Sequence, residues 1–132
     1  MRLWHQFLIS KLPRQQLLGQ HRECCALRGA GWGRKHSVVN YVFDHEPECL
    51  VAYHYLIMNE MRRRGYNPNE VWYEKDYRGT ALGTEQNWCS TELLYKILEK
   101  SSVDCIYQEH NNEYLQECLN NLKEKDIDIS LQ

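Results

Sequence analysis

The stretch from Pro47 to Arg64 constrains the fold more than any other part of this 132-residue chain. Leu50, His54, Ile57 and Met61 recur at helical spacing, with Val51, Tyr55 and Met58 beside them, so the segment predicts one long helix with a broad apolar face. Arg62, Arg63 and Arg64 put positive charge where it suits the helix C-terminus, and Gly65 and Pro68 close it. Pro13 suits the first turn of an earlier helix that starts near Ser10 or Lys11, carries Leu17, Leu18, Cys25 and Ala26, and stops at Gly29. A third helix begins at Ser90 or Thr91 and runs to about Lys100, burying Leu93, Leu94, Ile97 and Leu98. A fourth, capped by Asn111 or Asn112, runs to about Lys125 with Tyr114, Leu115, Cys118, Leu119 and Leu122 inward.

Between these helices the signals change. Gly29 to Gly33 holds three glycines in five residues and reads as a tight loop, where a backbone can come close to a ligand or to a neighbouring helix. Residues 67–89 are polar and aromatic and read as a long connection with short turns, while 103–107 and 127–131 carry weak strand-like patterning. The fold class is mainly α. Residues 1–132 are the length of a single domain with one core, a compact helical bundle with 126–132 as a short irregular or extended tail.

Hydrophobic residues make up 42% and charged residues 26%, as in an ordinary globular protein, and no apolar run approaches the 18 or so residues of a membrane span. Met1-Arg2-Leu3-Trp4-His5-Gln6 is too polar for a secretory signal, so the expectation is a cytoplasmic protein. In that setting the six cysteines, none in C-x-x-C spacing, read as reduced thiols, several of them packed among apolar side chains. His21 with Cys24, or His45 with Cys49, would share a helical face, but a structural zinc needs four ligands, and no metal is expected.

The formal net charge of −2 hides an asymmetry. Residues 1–66 hold ten Lys or Arg against five Asp or Glu, and residues 67–132 hold six against thirteen. The total argues against an indiscriminate nucleic-acid binder. The first 35 residues, however, carry Arg2, Lys11, Arg14, Arg22, Arg28, Arg34 and Lys35 against the single acid Glu23, the pattern a phosphate-binding face leaves. The chain has no G-x-S-x-G elbow, phosphate-binding glycine loop or H-E-x-x-H motif. The constellation that stands out is Arg22-Glu23 beside the basic N-terminal segment and the glycine loop.

Leu17-Leu18-Gly19-Gln20-His21-Arg22-Glu23, ahead of the glycine loop and His36, resembles the pyrimidine-dimer DNA glycosylase family, the phage-type endonuclease V family. Leu56-Ile57 through Glu60, then Arg63-Arg64-Gly65-Tyr66-Asn67, is similar to that family's long helix and its ending, and Tyr77-Arg78-Gly79 to its Phe-Arg-Gly. The likeness covers about residues 1–100. It implies a compact helical DNA-repair glycosylase with abasic-site lyase activity, acting on pyrimidine photodimers or related lesions in duplex DNA, with no cofactor and no metal. The resemblance makes the α-amino group of the first residue the nucleophile at the sugar C1′, leaving an imine, and a glutamate the proton carrier for β-elimination. Glu23 matches the glutamate, Arg22 an arginine that holds the DNA backbone, and Gln15 agrees in type and register. Because residue 2 is arginine, too large for the usual trimming, Met1 is expected to stay and carry the amine. An α-amine is suited to such attack. With a pKa near 7.7–8.0, roughly a quarter is neutral at pH 7.4, against about one in a thousand for lysine.

The expected catalytic residues are therefore Met1, Arg22 and Glu23, and the expected DNA face Arg2, Gln15, Arg22, Arg34, Lys35, His36 and Arg78. The expected partner is duplex DNA with damaged or abasic sites, met by a monomer away from any membrane. Gln15, Gln16 and Trp32 have the size and location to fill the gap left by a flipped nucleotide, with a core role the alternative for Trp32. The sequence also departs from the family. Ala26 stands where a second arginine is found, with Arg28 as a displaced substitute, and an acidic end replaces an aromatic, basic tail. A non-catalytic DNA- or RNA-binding or interaction module on the same scaffold is the alternative.

Overall fold

The computed structural model describes residues 2–34 and 39–130, so Met1, Lys35 and His36 of the expected site lie outside the described residues. Four α-helices carry the fold: α1 (Arg14–Arg28), α2 (Pro47–Arg63), α3 (Thr91–Lys100) and α4 (Asn112–Lys123). Short 3-10 helices at Gln6–Lys11, Asn40–Asp44 and Glu70–Tyr73 fill the connections. Most helix ends follow their sequence signals, but α1 starts only at Arg14, because Ser10 and Lys11, its expected start, close the separate 3-10 helix and Pro13 stands at the N-cap. Pro13 precedes α1 and the Gly29 N–H returns to the Cys25 and Ala26 carbonyls, while Ser90 and Asn111 side chains accept from Leu93 and Tyr114 N–H groups to start α3 and α4.

Helix α2 is the centre because it is apolar on two sides. Leu50, Tyr53, Ile57 and Met61 pack with Leu3, Leu8 and Leu12 of the N-terminal segment, Leu17 and Leu27 of α1, and Cys118 and Leu122 of α4. On its other side Val51 and Ala52 meet Cys89 and Leu94, which seats α3. A buried leucine in such a cluster is worth about 2–5 kcal/mol against alanine.

Polar side chains lock the N-terminal segment onto this core. The Gln6 amide donates to the Ser101 and Asp104 carbonyls at 2.9 and 3.2 Å and accepts from the Ile106 N–H at 2.6 Å. The arginine run, expected to serve its own helix end, does more than that. Arg64 donates to the Leu12 carbonyl at 2.7 Å and reaches those of Ser10 and Ile9, so it caps the 3-10 helix Gln6–Lys11, while its Nε sits 2.7 Å from Glu60. Arg63 grips the same carboxylate, and Arg62 lies over the Tyr73 ring, 4.1 Å from its centroid.

The two strand-like stretches are not strands. Residues 103–107 form turns, and 127–130 are irregular, with Ile127 and Ile129 packed on the larger cluster. Ile106 and Tyr107 likewise pack on that cluster without a strand partner while Val103 is exposed, and among the described residues the ladder contacts amount to an isolated bridge between Tyr77 and Thr84. The glycine loop serves a close approach of the protein's own backbone: a Cβ on Gly29 would stand 2.9 Å from the Arg78 carbonyl, and one on Gly31 2.7 Å from that of Ala26.

Candidate active site

Successive residues of α1 are turned by about 100°, which sorts its side chains. Gln15, Arg22 and Ala26 fall on one exposed stripe, Gln20 and Glu23 on one shoulder of it, and His21 and Cys25 on the other. The Glu23 shoulder faces the N-terminal segment. Gln20, almost fully buried, joins the two. Its amide nitrogen donates to the Arg2 carbonyl at 2.8 Å and to Glu23 Oε2 at 2.9 Å, and its oxygen accepts from the Trp4 N–H at 2.6 Å. The Tyr53 hydroxyl, 2.6 Å from the Trp4 carbonyl and 2.9 Å from Gln20 Oε1, supports the same junction from α2.

Glu23 therefore sits half-buried against backbone rather than free on a helix surface. Burial pushes its carboxyl above the usual carboxylate range, opposed by the Arg2 N–H that donates to it and by the charges of Lys125 and Arg22. A carboxyl held between these opposed influences is suited to take and return a proton.

The basic residues are not equivalent. Arg22 and Arg34 are exposed, as is Gln15. The Arg2 guanidinium instead turns inward over the Trp4 and Tyr114 rings, with Nη1 buried and, among the described residues, without a hydrogen-bond partner. Arg78 donates to the Arg28 and Gly29 carbonyls and to Glu85, lies over Trp88, and keeps 12% of its side chain exposed. Arg28 does not substitute for the missing surface arginine: it is fully buried and donates to the carbonyls of Trp72, Glu74 and Tyr77. Trp32 packs edge-on against Phe43 and Trp88, the core role. Gln16 is half-buried on α1.

Two neighbours of the site carry no local signal in the sequence. Gln20 lies inside the motif but has no charge to draw attention, and only its fit to an extended backbone reveals its part. Lys125 follows α4 in an acidic stretch, yet its ammonium stands 5.4 Å from the Trp4 ring centroid and acts on Glu23. Of the metal-ligand pairs weighed from spacing, Cys24 is fully buried in the core and His45 pairs with Glu109 at 2.9 Å. The cluster that does assemble is His21, Cys25 and His54, with ligand atoms within 4.8 Å of one another. A groove of about 470 Å³ opens beside it, lined by Cys25, Gly29, Gly31, Trp72, Tyr77 and Arg78.

An all-helical scaffold with a helix-borne, half-buried glutamate tied to the N-terminal backbone defines the class: a small α-helical protein with a carboxylate set beside its N-terminal segment. The family model for pyrimidine dimer DNA glycosylase matches residues 1–74, more than half of the chain, and the chain belongs to that family. Membership implies a DNA glycosylase whose substrate is damaged DNA. No curated protein and no solved structure matches it. No helix of the described residues is long and apolar enough to cross a membrane.

Proposed function

We propose that the protein is a DNA-repair glycosylase with abasic-site lyase activity, in which the α-amine of residue 1 attacks the sugar C1′ and Glu23 moves the protons. The observation that carries this is the Gln20 junction, which brings Arg2 and Glu23 onto one amide. The Arg2 N–H donates to Glu23, and the α-amine is joined to that nitrogen through a single residue, a span of no more than about 3.8 Å. Covalent geometry alone thus keeps nucleophile and proton carrier close.

Attack by the neutral amine forms the C1′–N bond as the base departs with the electron pair of its glycosidic bond, and loss of the ring oxygen bond leaves the imine. Glu23 then removes the C2′ proton, and the electrons shift to expel the 3′ phosphate. Arg22, exposed one residue away, supplies the backbone grip, with Gln15 on the same stripe and Arg34, Lys35 and His36 as the wider DNA face, while Arg2 and Arg78, engaged within the protein, take no direct part. The protein acts as a monomer of one domain. Photodimer-containing duplex is the substrate proposed first.

Borohydride trapping on abasic-site duplex tests the reading, with wild type, Glu23→Gln and an N-terminally blocked protein. A covalent adduct that disappears on blocking supports an imine at the terminal amine, and ultraviolet-irradiated duplex then tests lesion choice. Salt-sensitive DNA binding with no adduct would sink catalysis and leave a binding module.

A further inference from the structure

The shoulder of α1 opposite Glu23 carries a second polar cluster whose hydrogen bonds can be assigned without ambiguity. Arg28 Nη1 stands 2.7 Å from the Trp72 carbonyl and 3.0 Å from His54 Nδ1. A guanidinium has only donors, so His54 Nδ1 must accept. The neutral ring then carries its proton on Nε2, which faces His21 Nδ1 at 2.8 Å and donates to it. His21 accepts at Nδ1, and its own proton is left on Nε2, beside the Cys25 sulfur at 3.9 Å. The same chain of donors argues against a metal at His21, Cys25 and His54: a metal on His54 Nε2 needs the proton on Nδ1, where it would face Arg28.

We propose that Arg28 and His54 are positioning residues that fix His21 as a neutral Nε2–H donor for a DNA phosphodiester oxygen, on the opposite side of the Arg22 stripe from Glu23. This rests on the DNA-binding reading above. The stripe of Gln15, Arg22 and Ala26 is flanked by Glu23 on one side and His21 on the other, and a duplex is wider than a helix of about 10–12 Å. A strand held by Arg22 over Glu23 therefore leaves neighbouring backbone over His21.

The charge state is consistent with such a donor. Burial lowers the pKa of His21, and the charged groups acting on it, Arg22 and Arg28, are both from α1, both positive, and lower it further. Across the interface α2 offers His54, itself fully buried and held well below the usual histidine range. Cys25, with its thiol pushed up to about 12 by burial, remains neutral. A neutral donor releases no counterion, so its contact differs from that of an arginine in salt dependence.

Two measurements test this, one of them without DNA. Long-range proton–nitrogen NMR of the histidine rings is expected to show both His21 and His54 protonated at Nε2, unchanged by added zinc. A proton on Nδ1 of either ring, or loss of these signals on zinc addition, overturns the assignment. Duplex binding is then measured against salt and pH. His21→Phe is expected to weaken binding about three- to tenfold with the salt slope unchanged, whereas Arg22→Ala lowers the slope by about one. His54→Leu removes the donor that occupies His21 Nδ1, so a proton can be taken up there and binding is expected to strengthen toward acid pH where wild type stays flat; His54→Gln, whose amide both accepts and donates, restores the flat profile. A salt slope lowered in His21→Phe as in Arg22→Ala overturns the neutral contact. Wild type that binds no duplex, with both tautomers as assigned, defeats the DNA reading and the phosphate contact together.

Discussion

Gln20 holds Glu23 from 2.9 Å with the same amide nitrogen that reaches the Arg2 carbonyl at 2.8 Å. The N-terminal backbone and the carboxylate are thus set by one side chain. Gln20→Leu is close in volume but offers no amide. It leaves the buried Trp4 N–H without its acceptor, and a destabilisation of about 1–3 kcal/mol is expected. The larger effect falls on chemistry: abasic-site cleavage is expected to drop at least tenfold more than the stability loss explains, because the Arg2 backbone is no longer held beside Glu23. Single-turnover cleavage well below the variant's melting temperature checks this, and unchanged rates would refute it.

Glu23→Gln should separate stability from activity. Burial raises the Glu23 carboxyl, so the folded protein binds that proton more tightly than the unfolded chain does. The resulting stabilisation is full below the ordinary value of 4.5 and is lost as pH rises through the raised folded value. At pH 7.5 the ionised carboxylate weighs against the fold, and the amide variant should melt higher than wild type. That advantage should shrink at pH 4. Cleavage should fall by about a hundredfold or more, the usual contribution of a positioned acid–base group. Paired melting curves at the two pH values and a nicking assay decide it.

Among the described residues, Arg28 has no carboxylate as a hydrogen-bond partner. Its guanidinium is held by three carbonyls of the 72–77 connection and by His54, over the Trp72 ring. Arg28→Leu removes the donors from three part-buried carbonyls at once, and a loss of about 3 kcal/mol or more is expected. Arg28→Lys recovers only part, since an ammonium cannot reproduce the planar fork. Urea unfolding should show falling midpoints in the order wild type, Lys, Leu. A surface arginine bound to DNA would give no such order.

The helices were legible because their signals are local. Pro13, Gly29, Ser90 and Asn111 act within a few residues of themselves, and the spacing from Leu50 to Met61 reports a face whatever covers it. The candidate site was legible only where charge marked it, at Arg22 and Glu23. The contacts that build it join residues far apart in the chain: Gln20 to Arg2, Tyr53 to Trp4, Lys125 to Trp4. Nothing local in Lys125 announces its place. The basic character of the first 35 positions also misleads, since Arg28 is buried and Arg2 turns onto rings. Formal charge does not say which guanidiniums face water.

The acid limit of the fold is set in part by His110. Its Nδ1 accepts from the Gln6 N–H at 3.1 Å, so the ring is neutral with its proton on Nε2, 2.8 Å from the Tyr41 hydroxyl. Burial, with His5 stacked alongside, brings its pKa down to about 3. The unfolded chain takes up this proton near 6.5 and the folded protein only near 3. The stability this ring contributes is therefore complete above pH 6.5 and is lost progressively as pH falls toward 3, by a few kcal/mol in all. His110→Gln keeps an acceptor for Gln6 and a donor for Tyr41 but does not titrate. Its stability should fall less steeply than that of wild type between pH 6.5 and 4, even if it starts lower at pH 7.5. Denaturant midpoints across that interval test the slope, and parallel curves for the two proteins would show that His110 is not the titrating group.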